Sequence, residues 1–247
     1  MKKALCLAFL LLFVGNVQAQ QNLFNIPSGD INPGHQVFYQ HQFNFYNIDE
    51  LESKSHIVYG LGRGWDTGLN LVDLPVNLGA GPTFSHNDSS NRKPLYPMLM
   101  GSLQKQWVVA SHAVINVGTQ VGTNLTNQAG TMDLGYFNFG IIRYIPDEHV
   151  HLLTGLYHTN DVYVGGPESQ HVGFMLGYEY KISRQVVLMG DFVSGDHKKS
   201  VTVLGGGYTV SDRLQLFLGA LLAFPNEELP NGVVMELNWF GWDFMEE

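Results

Sequence analysis

Three charged residues in the second half of the chain have the spacing of a small ionic site: Glu179, Lys181 and Asp191. If a turn near residues 183–185 joins two extended segments, side-chain alternation puts all three on one face, opposite Leu188. Charged residues at membrane depth are candidates for function, although an internal lattice of salt bridges is an equal alternative. Because carboxylates outnumber the ammonium group, we predict that this set favours cations in any pore that it lines.

The other residues that could carry chemistry do not combine into a site. A serine nucleophile needs a base within hydrogen-bond reach. His158 is followed by Thr159 and Asn160 rather than by a serine, and the segment HNDS at 86–89 separates its histidine and serine by three positions. The ten histidines show no metal-ligand spacing beyond the pair at 149 and 151. We expect no enzyme activity, no metal and no cofactor, and keep a lipid hydrolase as an alternative.

The elements that would position these residues follow from a period of two in hydropathy, which runs from Gln36 almost to the end of the chain. Blocks of about ten residues, the strand length of a membrane barrel, meet at similar turns. Examples are VVASH at 108–112, YKISR at 180–184 and YTVSD at 208–212. Such alternation places one face in an apolar and the other in a polar environment. Repeated hairpins of this kind are typical of a transmembrane β-barrel.

The amino terminus has the pattern of a secretory signal peptide over residues 1–19: two lysines, an apolar run from Ala4 to Val14, and VQA before Gln20. Cys6 is the only cysteine and lies inside that run, so we expect no thiol in the mature chain. Loss of the two lysines takes the formal net charge from -9 to -11, which disfavours nucleic acid as a partner. No later run of apolar residues is long enough for a membrane-spanning helix.

We predict an all-β fold, a closed antiparallel up-and-down transmembrane β-barrel with about 12 strands, an even number as in single-chain bacterial barrels. The predicted strand cores are 35–46, 55–63, 66–79, 95–110, 113–122, 133–145, 149–159, 171–182, 186–194, 200–210, 213–224 and 232–244. Short turns alternate with longer loops, as periplasmic turns and extracellular loops do. Residues 20–34 form an N-terminal periplasmic segment in this division, and residues 35–247 form the barrel in the outer membrane.

Alternation within the strands sorts side chains into lumen and lipid. The candidate selectivity residues on the lumen face are Glu179, Lys181, Asp191, Asp73, Glu236, Asn238 and Asn116. Apolar residues are also assigned to the lumen, where packing in a small barrel explains them more simply than a path for apolar solutes does: Phe137, Phe139, Ile141, Tyr157, Leu204 and Phe217. The lipid-facing set is Val172, Phe174, Leu176, Tyr178, Tyr180, Val186, Leu188, Val201, Val203, the even positions from 214 to 222, Met235 and Leu237. Two registers underlie these faces: a turn at 211–212 pairs Gly207 with Leu216, and a loop at 146–148 pairs Tyr144 with Val150.

The run HIVYGLGRGWDTGLNL at 56–71 resembles a hairpin in one group of exported barrels. These are the outer-membrane transporter-like proteins of the phenol meta-pathway type, in which a YGL…W..GLNL hairpin opens the barrel. The chain length, the signal peptide and the strand count are similar as well. The resemblance implies passage of small, often aromatic, solutes, and it carries no functional residue of the family onto a position of this chain.

The function that the sequence favours is a passive, porin-like channel or transporter for small solutes, apolar ones included, in the outer membrane of a Gram-negative bacterium. A structural or adhesive barrel with a filled lumen and the lipid-hydrolysing barrel are the alternatives. The expected partners are outer-membrane lipid and lipopolysaccharide, a small solute of unknown identity, and the barrel-assembly machinery. That machinery would recognise the C-terminal strand through Phe244, although three residues follow it.

Overall fold

Twelve long β-strands form one closed antiparallel barrel in the computed structural model of the chain, which describes residues 22–79, 81–89, 92–126, 132–166, 169–223 and 230–243. Each strand pairs with its neighbours along the chain. The first and last strands also pair with each other, from Gln36 opposite Asp243 to Phe45 opposite Val233. Closure gives the backbone N–H and C=O groups of every barrel strand hydrogen-bond partners within the sheet, which the water-free interior of a bilayer requires. The predicted all-β fold, up-and-down order and strand number are confirmed.

The observed strands are close to the predicted ones. They are β1 (Gln36–Phe45), β2 (Glu50–Gly62), β3 (Trp65–Asn77), β4 (Thr83–Phe84), β5 (Met98–Ala110), β6 (Ala113–Asn124), β7 (Leu134–Tyr144), β8 (Val150–Thr159), β9 (Val172–Lys181), β10 (Val186–Val193), β11 (Val201–Ser211), β12 (Leu214–Ala223) and β13 (Gly232–Asp243). The two-residue β4 pairs with β3 and adds to the twelve barrel strands. Short turns lie at one end of the barrel, the turn end, and longer connections lie at the opposite loop end.

The outward face of the barrel is apolar and has aromatic residues near the turn end. Leu156, Phe174 and Leu218 are among the large apolar side chains exposed along the strands. At the turn end, the Lys105 ammonium group lies 5.3 Å from the ring centre of Trp65 and 5.8 Å from that of Trp107. An apolar band flanked by aromatic residues is the outer surface that a membrane barrel presents to lipid.

The face assignment is reversed in β11. Val201 and Val203, predicted to face lipid, point inward, and Val203 is 0 % exposed. Leu204, predicted for the lumen, is 47 % exposed on the outward face. A β-bulge near the end of β11 pairs Leu216 with Tyr208, one residue beyond the predicted partner. A shift of one residue moves every side chain of the strand to the other face.

The register between β7 and β8 also differs from the prediction, without changing the faces. Tyr144 lies opposite Leu152 instead of Val150. The displacement is an even number of residues, so the inward and outward sets stay as predicted. The inward apolar residues on these two strands include Phe139, Ile141 and Tyr157, and all three are buried in the main core cluster.

Residues 22–34 lie inside the barrel and form what we call the plug segment. Leu23, Phe24 and Ile26 are buried in one cluster with inward side chains of β7 to β13. The Phe24 ring meets the Phe217 ring edge-on, with 6.5 Å between ring centres. The sequence predicted a periplasmic location for this segment. Its position in the lumen has a simple cause, because removing three large apolar side chains from water is favourable by about 1.5–3 kcal/mol each.

The plug segment leaves the lumen at the turn end, next to the hairpin of β2 and β3. Gly60 is required there, since a Cβ atom at this position would lie 1.8 Å from the carbonyl oxygen of Pro33. On the inner side, the Asn32 side-chain amide donates to the carbonyl oxygen of Val58 at 3.2 Å. The β2–β3 hairpin, which carries the family resemblance, therefore also contacts the plug segment where that segment leaves the lumen.

The loop end is narrowed by one short helix, α1 (Asp161–Val164). The Lys93 ammonium group lies 2.7 Å from an Asp161 carboxylate oxygen, and the backbone N–H of Leu95 donates to the carbonyl of Val162 at 3.0 Å. Val162 and Leu95 pack in a second apolar cluster with Met98. Among the described residues, no helix is long and apolar enough to cross a membrane.

Candidate functional site in the lumen

A cavity of about 500 Å³ lies at the loop end of the lumen, with the plug segment as part of its lining. Phe24 and Asn25 contribute from the plug segment, and Gln42 and Asn44 contribute from the wall of β1. Aromatic rings and charged groups complete the lining: Tyr46, Tyr96, Phe137 and Tyr163, with the carboxylates of Glu50, Glu52 and Asp73 and the ammonium groups of Lys54, Lys198 and Lys199. Acidic and basic groups therefore balance around the cavity.

Asp191 on β10 holds the plug segment by its backbone. One carboxylate oxygen accepts hydrogen bonds from the backbone N–H groups of Asn25 and of Ile26, the second at 3.1 Å. The Asn25 side-chain amide donates to the other oxygen at 3.4 Å. Asp191 thus lies on the lumen face, as predicted, but its oxygens are occupied by the plug segment.

A buried ion pair holds the same segment lower in the lumen. The Arg143 guanidinium group of β7 donates to the carboxylate of Asp30. Gln104 donates to the carbonyl oxygen of Asp30 at 3.4 Å and to the Asp66 carboxylate at 3.0 Å, and Asp66 in turn accepts from the backbone N–H of Asn32. The plug segment is therefore attached to β3, β5, β7 and β10 by polar contacts.

The predicted set of Glu179, Lys181 and Asp191 is not one cluster. The Glu179 carboxylate pairs with His151 of β8, with 2.7 Å between Oε2 and Nδ1. The described part of the chain shows no ion pair between Lys181 and either carboxylate. The three residues share the face that the sequence predicted, yet each of the two carboxylates has a partner from another element.

Asp73, another predicted site residue, lies at the cavity. Its carboxylate pairs with the Lys199 ammonium group, which also lies 4.9 Å from the ring centre of Tyr163. Asp73 has a positive φ of 57°, a conformation that aspartate adopts more readily than most residues. The pair connects β3 to the loop between β10 and β11 across the mouth of the cavity.

Glu236, Asn238 and Asn116 are the predicted site residues that the structure buries without partners. Both carboxylate oxygens of Glu236 and both amide atoms of Asn238 and Asn116 lack a hydrogen-bond partner among the described residues. Glu236 and Asn238 lie on β13, and Asn116 lies on β6. These groups contrast with Asp191 and Glu179, whose charges are engaged.

One histidine and serine do come together in the lumen, although sequence spacing did not single them out. The Ser200 hydroxyl lies 3.2 Å from His197 Nδ1, and the Tyr157 hydroxyl lies 2.8 Å from Nε2. Ser200 is fully buried, and burial lowers the pKa of His197 to about 4. A nucleophile must reach its substrate, so this arrangement stabilises the 194–200 loop and does not form a hydrolytic site.

Most of the residues that contact the plug segment are not predicted by the sequence. Arg143 carried a usable signal, since it continues the inward alternation of Phe139 and Ile141. Asp30 and Lys199 carried none, because they lie in segments without a strand period. Phe244, the predicted recognition residue of the C-terminal strand, lies outside the described residues.

Comparison with solved structures identifies proteins that share this fold. The KdgM porin superposes with a TM-score of 0.55 at 6 % identity, over 84 % of this chain and 98 % of that one. The same porin in complex with disordered oligogalacturonate gives 0.54 over the same shares, and the NanC porin gives 0.54 at 6 % identity, over 83 % and 98 %. At this identity the likeness concerns the fold alone. The chain has the closed antiparallel barrel fold of these porins, and its outer-membrane location stays a prediction.

No family model and no curated protein matches the sequence. The resemblance to barrels of the phenol meta-pathway type therefore rests on the 56–71 hairpin, and the solute that it implies stays a prediction.

Proposed function

We propose that this protein is an outer-membrane channel for small solutes in which the plug segment controls passage. The observation that carries the proposal is the position of residues 22–34 across the lumen, directly against a cavity that faces the loop end. A solute that enters from the loop end meets Phe24 and Asn25 before it can go further. Passage then requires the plug segment to move.

The lining of the cavity supports a small solute without large net charge. Three carboxylates and three ammonium groups surround it, so neither cations nor anions gain a strong preference there. Five aromatic rings, including that of Phe24, provide apolar surface, and the amides of Gln42 and Asn44 provide donors and acceptors. Ligand pockets commonly combine apolar walls with a few polar groups in this way.

The polar contacts of the seated plug segment allow it to move. Its attachment to Asp191, Arg143 and Gln104 consists of hydrogen bonds and one ion pair. Such contacts can exchange with water, whereas its three buried apolar side chains favour the seated state. The balance between these terms sets how often the channel opens.

A reversible disulfide tests the proposal. A Cβ atom at Gly29 would lie 3.9 Å from the Cβ atom of Asn116, within the range of about 3.5–4.5 Å found in disulfides. The variant Gly29→Cys with Asn116→Cys should transport solute in liposomes only after reduction. Gly29→Cys alone is the control, because φ of 74° at this position makes any side chain cost about 1–2 kcal/mol.

Solute flux that is equal in the oxidised and reduced protein would refute gating by the plug segment. A barrel without flux in either state would favour the second candidate function, a structural barrel with a filled lumen. That candidate is supported by the same buried side chains, since Leu23, Phe24 and Ile26 pack as a core.

A further inference from the structure

The wall formed by β1 and β13 carries a stripe of polar side chains that face the lumen. Gln40 lies directly opposite Asn238, and Gln42 lies directly opposite Glu236. Gln40, Asn238 and Glu236 are 1 %, 0 % and 3 % exposed. The inward wall from β7 to β12 is mainly apolar and packs against the plug segment. The polar stripe therefore lies outside this apolar wall.

This stripe contains a charge without a described partner. The side-chain amides of Gln40 and Asn238 lie beside the Glu236 carboxylate. No hydrogen bond of 3.5 Å or less reaches either Glu236 oxygen, either amide atom of Asn238 or the Nε2 atom of Gln40 among the described residues. An ionised carboxylate that is removed from water costs several kcal/mol unless a counter-charge or strong hydrogen bonds compensate it. Something must therefore supply positive charge or a proton at Glu236.

Four basic side chains of the lumen pair with other carboxylates. Arg143 pairs with Asp30, Lys199 with Asp73, Lys54 with Glu52 and His151 with Glu179. His56 lies opposite Gln40 on β2, and its Nδ1 atom lies 2.8 Å from the amide oxygen of Asn70. The described residues thus give Glu236 no counter-ion.

We propose that Glu236, Asn238 and Gln40 form a binding site for a monovalent cation such as K⁺ or Na⁺. Carboxylate and amide oxygens are the ligands that hard cations prefer, and one carboxylate balances one positive charge. A Ca²⁺ ion takes 6–8 oxygen ligands, commonly from several carboxylates. The described residues contain no group of three or more acidic, histidine or cysteine side chains that could hold such an ion.

The polar stripe extends from the site to the loop-end cavity and contacts the plug segment. Gln42 and Asn44 continue the stripe to the loop-end cavity. At the end of the stripe nearer the turn end, the rings of Phe38 and Phe240 are in contact, with 5.2 Å between their centres. The Asn22 side-chain amide donates to the Gln40 side-chain oxygen at 3.0 Å. A bound cation therefore fixes the side chain that holds the start of the plug segment.

Salt-dependent stability tests the site without any measurement of flux, so the result is independent of the proposed channel function. The folded barrel is heated in non-ionic detergent, and the loss of its compact gel mobility is followed. KCl is compared with N-methyl-D-glucamine chloride at equal ionic strength. A ligand that binds only the folded state raises the midpoint with its concentration. We expect KCl to raise the midpoint of the wild type and not that of Glu236→Gln.

Glu148→Gln is the matched control, because it removes one carboxylate whose side chain is 90 % exposed in a turn, and it should respond to KCl like the wild type. If Glu236→Gln does not fold, Asn238→Ala serves instead and should respond more weakly to KCl. Equal midpoints in the two salts for the wild type would overturn the proposal. The same holds for a KCl response that persists in both variants, since a proton or another part of the chain would then neutralise Glu236.

Discussion

Replacing Asp191 by alanine should release the plug segment. The Asp191 carboxylate accepts hydrogen bonds from two backbone N–H groups, those of Asn25 and Ile26. Both donors belong to the stretch between Leu23 and Ile26, whose apolar side chains are buried in the lumen. After the substitution, both N–H groups face an apolar methyl group. Seating of the segment then leaves two donors without an acceptor.

The size of the effect follows from these two contacts. A hydrogen bond to a charged group contributes about 1.5–3 kcal/mol, and a buried donor without a partner costs about 1–3 kcal/mol. For two donors that partly find water, the seated state should lose about 3–4 kcal/mol. This corresponds to an increase of roughly 10²–10³-fold in the ratio of unseated to seated segment. Asp191→Asn keeps one acceptor oxygen and should give a smaller increase.

Single-channel recording in planar bilayers measures this ratio as the total open time divided by the total closed time. Asp191→Ala should open far more often than the wild type. The Gly29–Asn116 disulfide should suppress the openings until it is reduced. A folded Asp191→Ala barrel that opens as rarely as the wild type would refute the view that Asp191 holds a gate. Unchanged opening with an altered reversal potential would instead support the sequence-based hypothesis that Asp191 sets ionic preference.

Three further predictions concern the plug segment, a loop and a strand register. Gly177→Ala should loosen the plug segment by about 1 kcal/mol, because its Cβ would lie 2.5 and 2.7 Å from two aliphatic side-chain ends of that segment, whereas Gly140→Ala, with nothing within 4 Å, should not change solute flux. Since burial lowers the pKa of His197 from 6.5 to about 4, the unfolded loop binds the proton more readily, and stability falls as pH decreases below 6.5. Acidification to about pH 5 should cost the 194–200 loop about 2 kcal/mol, measured as faster proteolysis that His197→Asn no longer shows. Leu204→Cys should react with a lipid-soluble reagent and Val203→Cys should not; the reverse result would contradict the β11 register.

The candidate site could be predicted from the sequence in part. Alternation placed Asp191, Glu179 and Glu236 on the inward face, because a strand in a barrel has one face toward lipid and one toward the lumen. Alternation holds no information on which inward groups meet. Glu179 pairs with His151, which lies directly opposite it on the neighbouring strand β8, so this partner depends on the register of β8 and β9. Asp191 pairs with a segment far away in the chain, and this partner depends on what fills the closed barrel.

The sequence by itself determined the class of the protein. The period of two, the regular turns and the apolar outward sets are local properties, and twelve hairpin-linked strands with these properties can bury their backbone groups only by closing. The tertiary structure alone decided the face of β11, since a single bulged residue reverses a strand without changing its composition. It also decided the place of residues 22–34. That segment has no strand period, and its position follows from the apolar wall, Asp191 and Arg143, which come together only when the barrel closes around it.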